Sequence, residues 1–251
     1  MRDIRIAAYS DTGGRNDNED SFGYAQSRPG AFWASIADGL GSYGGGKTAS
    51  EIAVGEARAF FARRSFCSPG ELNQLFDTVN RKILRQQSDG VKMRTTAVFL
   101  AAGGTRLIWG HVGDSRMYHY LNGTLVRHTF DHSIPQLAVA RGEIRRDQIP
   151  DHPDRNKLTR ALGVQGVRPE IHGPVRLDRG VHSFLLCTDG FWEYVTEDEM
   201  RSDLLESRSP DEWLGRMRGR LQLRCGDGND NNTAVTVFAQ VSGIFPRKGG
   251  S

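Results

Sequence analysis

Cysteine is scarce in this 251-residue chain, and the three cysteines that occur have no paired spacing. Cys67, Cys187 and Cys225 form an odd number, whereas a disulfide framework uses an even set in an oxidising compartment. A small disulfide-stabilised fold is therefore excluded. The cysteine usage favours a reducing compartment, and we expect a cytoplasmic protein.

Long hydrophobic runs and an excess of one charge are also missing. No run approaches the roughly 20 apolar residues of a membrane span, and the first segment, MRDIRIAAYSD, reaches charged residues too soon for a signal peptide. The net charge is only +3, without the basic stripe that nucleic-acid binding needs. We expect neither a membrane nor a nucleic acid as partner. We expect a monomer, with one globular domain over residues 1–243 and a short disordered tail over 244–251.

Two apolar runs far apart in the chain each end in Asp-Gly. They are FWASIADG at residues 32–39 and SFLLCTDG at residues 183–190. A short apolar run of this kind predicts a buried strand, with Asp38 or Asp189 at its end. A carboxylate there is costly to desolvate unless a cation balances it. Taken singly, each Asp-Gly pair fits an ordinary turn equally well.

Further acidic residues flank other predicted strands. Glu19 and Asp20 are adjacent at a strand entrance, where their mutual repulsion favours either a solvated loop or a cation. Asp114, in HVGDSR, occupies a turn between strands, so its spacing alone also fits a turn former. Asp230 lies in GDGNDNN, directly before the last predicted strand.

The pattern predicts ten strands and four main helices. The strands are expected at 4–9, 21–26, 31–38, 95–102, 106–112, 116–121, 124–128, 171–177, 183–189 and 233–240. The helices are expected after the glycine run at 39–46, with Thr48 or Ser50 as N-cap, and at 69–87, 196–206 and 210–223. The four strands between 95 and 128 are short and separated by Gly-containing turns, which predicts an antiparallel meander.

Two other segments differ in composition from the predicted strands and helices. The glycine run GLGSYGGGKTAS lacks the G-x-x-x-x-G-K-[ST] frame of a phosphate-binding P-loop, so we interpret it as a bridge into a helix. Residues 133–170 contain several prolines, many arginines and only short helical patterns. We call this irregular segment the flap and expect it to border a binding cleft. Its Arg-rich part, 141–160, is expected to shape substrate choice, with Arg145 and Arg146 as the residues to test.

An all-oxygen set of side chains suits hard divalent cations such as Mg²⁺ or Mn²⁺. Structural zinc would need Cys and His ligands at close spacing, and the loops also lack the frame of an EF-hand. Two oxygen-ligated cations close together form a site for phosphoryl transfer to water.

The order of the motifs resembles the metal-dependent serine/threonine protein phosphatases of the type 2C family, in particular the bacterial single-domain branch. The resemblance covers about residues 9–238. It is carried by SDTGGRNDNED, IADGLGSYGGGKTAS, RTTAVFL, VGDSR, DHS, LTRALG, LLCTDGFWE and DGNDNNTAVTVF.

The resemblance implies an α+β fold, an α-β-β-α sandwich of two antiparallel sheets flanked by helix pairs. It implies two Mn²⁺ or Mg²⁺ ions, with a third position in bacterial members. The implied metal-site residues are Glu19, Asp20, Asp38, Gly39, Asp114, Asp189 and Asp230. Asp38 would bridge the two ions, and Asn231 would support Asp230 from behind.

The resemblance also implies direct hydrolysis of phosphoserine and phosphothreonine by a metal-activated water, without a phosphoenzyme intermediate. Arg15 would hold the substrate phosphate. The expected substrates are phosphorylated proteins, as the opponent of a bacterial eukaryotic-like Ser/Thr kinase.

The chain departs from the family pattern in three places. Leu40 stands where some members carry a histidine proposed as general acid, and Arg94 and Ser42 replace frequent glycines. His132 is the nearest motif histidine, and we interpret it as structural.

Two other functions remain alternatives. One is a catalytically silent binding module with a phosphatase fold, which would be favoured by the loss of Asp38, Asp189 or Asp230. The other is a phosphohydrolase that acts on nucleotides or nucleic acid, which the small net charge disfavours.

Overall fold

The computed structural model describes residues 1–41, 44–88, 90–226 and 228–242. Ser42 and the tail expected over 244–251 lie outside the described residues. The described chain forms two five-stranded antiparallel sheets that face each other, with helices on both outer faces. The α-β-β-α sandwich is thereby confirmed.

Each sheet combines strands from both halves of the chain. The first sheet has the order β1 (Arg2–Asp11), β10 (Asn232–Val241), β9 (Gly180–Cys187), β6 (Arg116–Leu121) and β7 (Thr124–His128). The second sheet has the order β2 (Ser21–Arg28), β3 (Ala31–Ala37), β4 (Ala97–Gly103), β5 (Arg106–Val112) and β8 (Glu170–Arg176).

The helices cover the outer faces of the two sheets. The helices α1 (Gly46–Phe61) and α2 (Pro69–Gln86) pack on the second sheet. The helices α4 (Asp189–Trp192), α5 (Glu197–Leu205) and α6 (Pro210–Arg224) pack on the first. The helix α3 (Ile134–Ala140) lies in the flap, which is otherwise turns and a short 3₁₀ helix until β8 begins at Glu170. No described helix is long and apolar enough to cross a membrane.

The apolar run of β3 is explained by burial on both faces. Phe32 faces the other sheet, and its ring centroid lies 5.6 Å from that of Phe184. Trp33 faces α1, where its ring stacks on Phe61 at 5.6 Å. Alternate side chains of one strand thus enter two different cores. The strand therefore has no polar face, and its first carboxylate, that of Asp38, follows only at its end.

The predicted meander over 95–128 is wrong in one respect. β4 and β5 pair in the second sheet, but β6 and β7 belong to the first. Residues Gly113, Asp114 and Ser115 therefore connect the two sheets rather than forming a hairpin turn. β4, β5 and β6 are almost wholly buried and β7 is partly exposed, and this local pattern carries no signal for which sheet each strand joins.

The predicted N-cap of α1 is also wrong. Gly45 caps the helix in the left-handed region at φ 72°, without a side-chain hydrogen bond. Ser50 lies inside α1 and donates its hydroxyl proton to backbone carbonyls, including that of Lys47. The helix predicted over 196–206 is α5, and Thr196 caps its N-terminus, since its side chain accepts from the Glu199 amide.

Candidate functional site

The strand register brings the acidic residues of the sequence analysis to one end of the sandwich. In the second sheet Ser21 pairs with Ala37, so Asp20 precedes one partner and Asp38 follows the other. In the first sheet Cys187 pairs with both Ala234 and Arg116. Asp189, Asp230 and Asp114 flank these three strand ends at the same edge.

The backbone of Asp38 is held by two threonines that begin the neighbouring segment. The Asp38 amide donates to the Thr96 hydroxyl at 3.0 Å, and the Thr95 hydroxyl donates to the Asp38 carbonyl at 2.7 Å. Gly39 follows, so close to the Gly46 backbone that a Cβ would lie 2.4 Å from it. This close approach explains the glycine, and the side chain of Asp38 is left to line the cleft.

Five aspartates at this edge repel one another. Burial and then Asp189 raise the pKa of Asp38 well above its ordinary value, with further contributions from Asp20, Asp114 and Asp230. Burial raises the pKa of Asp189 to about 6, with Asp230 the next cause. Burial, together with Asp189 and Asp230, raises the pKa of Asp20 to about 7 against the opposing hydrogen bonds of Thr233 and Thr188. The cluster therefore holds more negative charge than the described side chains neutralise.

Two carboxylate oxygens of the cluster have no hydrogen-bond partner among the described residues. They are Oδ1 of Asp20 and Oδ1 of Asp114, and both are buried. The other Asp20 oxygen accepts from the Thr188 hydroxyl at 2.9 Å. An unpartnered buried carboxylate oxygen costs several kcal/mol when charged unless a cation meets it.

Asp114 reaches the cluster because the chain changes sheet there. Gly113 adopts φ +98°, and a Cβ on it would lie 2.6 Å from Thr96. His132 holds Gly113 on both sides: its amide donates to the Gly113 carbonyl at 2.9 Å, and its Nδ1 accepts from the Gly113 amide at 3.2 Å. The Trp192 indole donates to the Asp114 carbonyl at 3.0 Å. Burial and then Asp189 raise the pKa of Asp114.

Asn231 ties the first loop to the last strand. Its side-chain amide donates to the carbonyls of Thr12 and Asp17, and its oxygen accepts from the Glu19 amide at 2.9 Å. Its own amide donates to Asp230 Oδ1 at 2.8 Å. One side chain thus fixes Glu19 relative to Asp230.

Arg15 forms a bidentate ion pair with Asp230. Its Nε and one terminal nitrogen donate to the two Asp230 oxygens at 3.0 and 2.8 Å. The two side chains are 57% and 42% exposed, so this pair lies at the mouth of the site rather than in its floor.

A cleft of about 1500 Å³ opens over the cluster. Its lining includes Asp38, Asp189 and Leu40, and on the far side the flap residues 156–161 and 164–168. Arg145 and Arg146 are not among its lining residues. Arg145 pairs with Asp147 on the surface, and Arg146 is largely buried against Glu197. Neither arginine therefore borders the cleft, and the role in substrate choice that the sequence suggested for them stays a prediction.

The sequence analysis missed several residues that position or extend the site. Thr188 joins Asp20 to β10, since its hydroxyl also accepts from the Thr233 amide at 3.0 Å. Glu193, whose pKa is raised to about 7 by burial and then by Asp189, lies one turn after Asp189 and pairs with Arg155 at 3.3 Å. Both residues belong to LLCTDGFWE, the only signal that could have pointed to them.

The donor set fits hard divalent cations. It consists of carboxylates, and two of their oxygens are buried without partners among the described residues. Oxygen ligands of this kind are those that Mg²⁺ and Mn²⁺ prefer. The mutual repulsion of the aspartates is what bound cations would relieve.

Comparison with known proteins identifies the family of this chain. A family model described as protein phosphatase 2C matches residues 13–211. The chain is 32% identical to a serine/threonine phosphatase, stp, of Listeria welshimeri over 78% of this chain and 80% of that protein. It is 34% identical to the serine/threonine protein phosphatase PstP of Mycobacterium tuberculosis, over 93% of this chain and 44% of that longer protein.

The fold agrees as well. A solved structure of the catalytic domain of PstP in complex with two manganese ions superposes with a TM-score of 0.78 and 26% identity. That likeness covers 93% of this chain and 97% of the PstP domain. The chain therefore belongs to the protein phosphatase 2C family of serine/threonine protein phosphatases.

Proposed function

We propose that this phosphatase hydrolyses phosphoserine and phosphothreonine in proteins with two divalent cations, Mn²⁺ or Mg²⁺, held by the acidic cluster. The residues proposed to hold them are Glu19, Asp20, Asp38, the carbonyl of Gly39, Asp189 and Asp230, with Asp114 and Asp189 available to a third ion. When bound, such cations supply Lewis-acid activation of a water and take up charge from the phosphate oxygens.

The observation that carries this proposal is the buried group of aspartates with raised pKa values and unpartnered oxygens. A carboxylate cluster of this kind is costly in a fold unless it serves a bound charge. A catalytically silent module would be expected to lack one of these carboxylates, and Asp38, Asp189 and Asp230 are all present.

Arg15 is proposed to bind the substrate phosphate. Its planar guanidinium can hold two phosphate oxygens at once. The present partner, Asp230, is exposed enough that the pair is worth only about 0–1 kcal/mol. The guanidinium can therefore turn from Asp230 to an arriving phosphate at little cost, while Asp230 is released to serve a cation.

Protonation of the leaving serine or threonine alkoxide must use a donor other than residue 40. Leu40 lines the cleft but carries no proton. His132 is already engaged by the Gly113 amide at Nδ1 and lies 3.4 Å from Glu170 at Nε2. We propose that solvent water in the open cleft protonates the leaving group, and that no residue of the chain is phosphorylated.

We propose that the substrates are phosphorylated in the cell by a bacterial Ser/Thr kinase of eukaryotic type, whose action this enzyme opposes. The open cleft supports a protein substrate, since it admits a chain segment on either side of the phosphorylated residue.

The experiment that tests the proposal is release of phosphate from a phosphothreonine peptide by metal-stripped protein, before and after addition of Mn²⁺ or Mg²⁺. Asp38→Ala is measured in parallel, and circular dichroism checks that it is folded. We expect activity only with metal and only in the wild-type protein. Metal binding without release of phosphate would support the silent module instead, and activity in the stripped protein would refute the metal mechanism.

A further inference from the structure

The flap wall of the cleft carries positive charges only. Among the flap residues that line it, the charged ones are Lys157, Arg160 and Arg168, and no carboxylate lines that wall in the part of the chain that the structure describes. The carboxylates of the cleft lie on its floor and opposite side. The cleft is therefore divided into an acidic floor and a cationic wall.

Neither arginine of this wall pairs with a carboxylate among the residues that the structure describes. Arg168 is exposed and makes no hydrogen bond or ion pair to any residue in the described ranges. Arg160 makes one polar contact, from a terminal nitrogen to His132 Nε2 at 3.2 Å. Lys157 differs, since it pairs with Asp154 at 2.8 Å. Two guanidinium groups are thus available to an anion from outside.

The backbone that carries these arginines is fixed. The amide of Thr159 donates to the His132 carbonyl, and Leu162, fully buried, bridges to Thr95. Beyond it, Gly163 bonds to the Asn80 side chain at 2.7 Å, and Val167 packs on the core of the second sheet. The guanidinium groups are therefore presented from anchored segments, which lowers the entropic cost of binding an anion.

Arg160 lies within reach of a peptide whose phosphate is at the acidic cluster, and Arg168 lines the same cleft. Gly39 bridges to Thr95, which bridges to Leu162. Each such step separates Cα atoms by about 5 Å, so Leu162 lies roughly 10 Å from Gly39. Arg160 lies two residues before Leu162 in the chain. An extended peptide advances about 3.3 Å per residue, so an anion within about five residues of the phosphorylated one can reach this wall.

We propose that Arg160 and Arg168 form a second anion subsite, so that the preferred substrates are phosphorylated segments that carry a further negative charge within about five residues. The anion is a carboxylate of Asp or Glu or a second phosphate, both of which guanidinium groups bind in the same way. This inference rests on the proposed function, because it places the phosphorylated residue at the acidic cluster.

Three phosphothreonine peptides of equal length test it: one with neutral flanks, one with glutamates at two flanking positions, and one with a second phosphothreonine. For wild-type protein with Mn²⁺ we expect kcat/KM to be about five-fold higher for at least one acidic peptide than for the neutral one, as for one or two exposed charge pairs. Raising the ionic strength from about 0.05 to 0.5 M should remove this preference. Comparison of the two acidic peptides shows which anion is the source.

The variants are Arg168→Glu, Arg160→Gln and the matched control Arg145→Glu, which changes an exposed arginine outside the cleft. We expect Arg168→Glu to abolish the preference for acidic flanks, Arg160→Gln to reduce it, and Arg145→Glu to leave it intact. Hydrolysis of p-nitrophenyl phosphate shows that the protein is active. If the active protein hydrolyses all three peptides at equal rates, or if Arg145→Glu reduces the preference as much as Arg168→Glu does, the subsite is overturned. If wild-type protein with metal hydrolyses neither the peptides nor p-nitrophenyl phosphate, both the subsite and the proposed function are overturned.

Discussion

A buried ion pair beneath the site offers the strongest prediction of stability. Arg116 donates from Nε and a terminal nitrogen to the two oxygens of Asp131 at 2.9 and 2.7 Å, and the side chains are only 5% and 1% exposed. The guanidinium carbon lies 3.5 Å from the centroid of the Trp192 ring, and the indole donates to the Asp114 carbonyl. The pair therefore supports the strand crossing that carries Asp114.

Asp131→Ala leaves the Arg116 guanidinium buried without its counter-charge. Removal of one partner of a buried pair costs about 3–5 kcal/mol of unfolding free energy. For a chain of this size each kcal/mol lowers Tm by roughly 2–4 °C, so the expected loss is about 6–20 °C. The Tyr118 hydroxyl, which accepts from Arg116 at 3.1 Å, cannot replace a carboxylate charge.

The assay is urea unfolding of the wild type, Asp131→Ala, Arg116→Met and the double variant, all in the same buffer without metal. Because an apolar replacement of a buried pair is often neutral, we expect the double variant to be at least about 2 kcal/mol more stable than Asp131→Ala. A loss below about 1 kcal/mol in Asp131→Ala, which is the range of an exposed pair, would refute the reasoning. So would a double variant whose loss equals the sum of the single losses.

Four further predictions follow from other parts of the molecule. Gly113→Ala should lose roughly 2–4 kcal/mol of unfolding free energy, because φ is +98° and the methyl group would meet Thr96; urea unfolding measures it, and an unchanged midpoint contradicts it. Asp189→Asn should lower kcat at least about 100-fold with its fold intact, beyond the loss expected for a residue behind the ligands; a near-normal kcat removes Asp189 from the ligand set. Mn²⁺ added to stripped protein at about 1,000 times its Kd should stabilise the fold by about 4 kcal/mol, as thermal unfolding would show, and Asp38→Ala should respond less. Burial, followed by the charges of His182 and Arg127, lowers the pKa of His119 to about 3 from 6.5. Between these two pH values His119 is protonated in the unfolded chain but neutral in the folded protein. The contribution of neutral His119 to the free energy of unfolding is therefore present above pH 6.5 and is lost as the pH falls towards 3. Urea unfolding from pH 7.5 to 4 should show a smaller loss of unfolding free energy in His119→Asn than in the wild type.

Local sequence was enough to predict β3, its end and its burial, whereas the second Asp-Gly run was predicted to continue as a strand to residue 189, where α4 begins. The run FWASIADG predicted a strand that ends at Asp38, and the structure ends β3 at Ala37. Local sequence does not predict contacts between residues that are far apart in the chain. Arg15 meets Asp230 across 215 positions, and the flap residue Leu162 bridges to Thr95 across the cleft edge. No periodicity encodes such pairs. Spacing alone could therefore not show that Arg160 and Arg168 line the cleft while Arg145 and Arg146 do not.

Asp114 shows why a site can be harder to predict than the fold that carries it. Its neighbours, Gly113 and Ser115, are typical of a turn, and a turn between two paired strands would have left the carboxylate in water. The difference arises because β5 and β6 join different sheets, so the same short connection passes between them and its carboxylate is buried. The tertiary position, rather than the residue types, thus converts a turn former into a candidate ligand. The same logic explains why His132 and Trp192, which hold this crossing, matter to the site without touching a substrate.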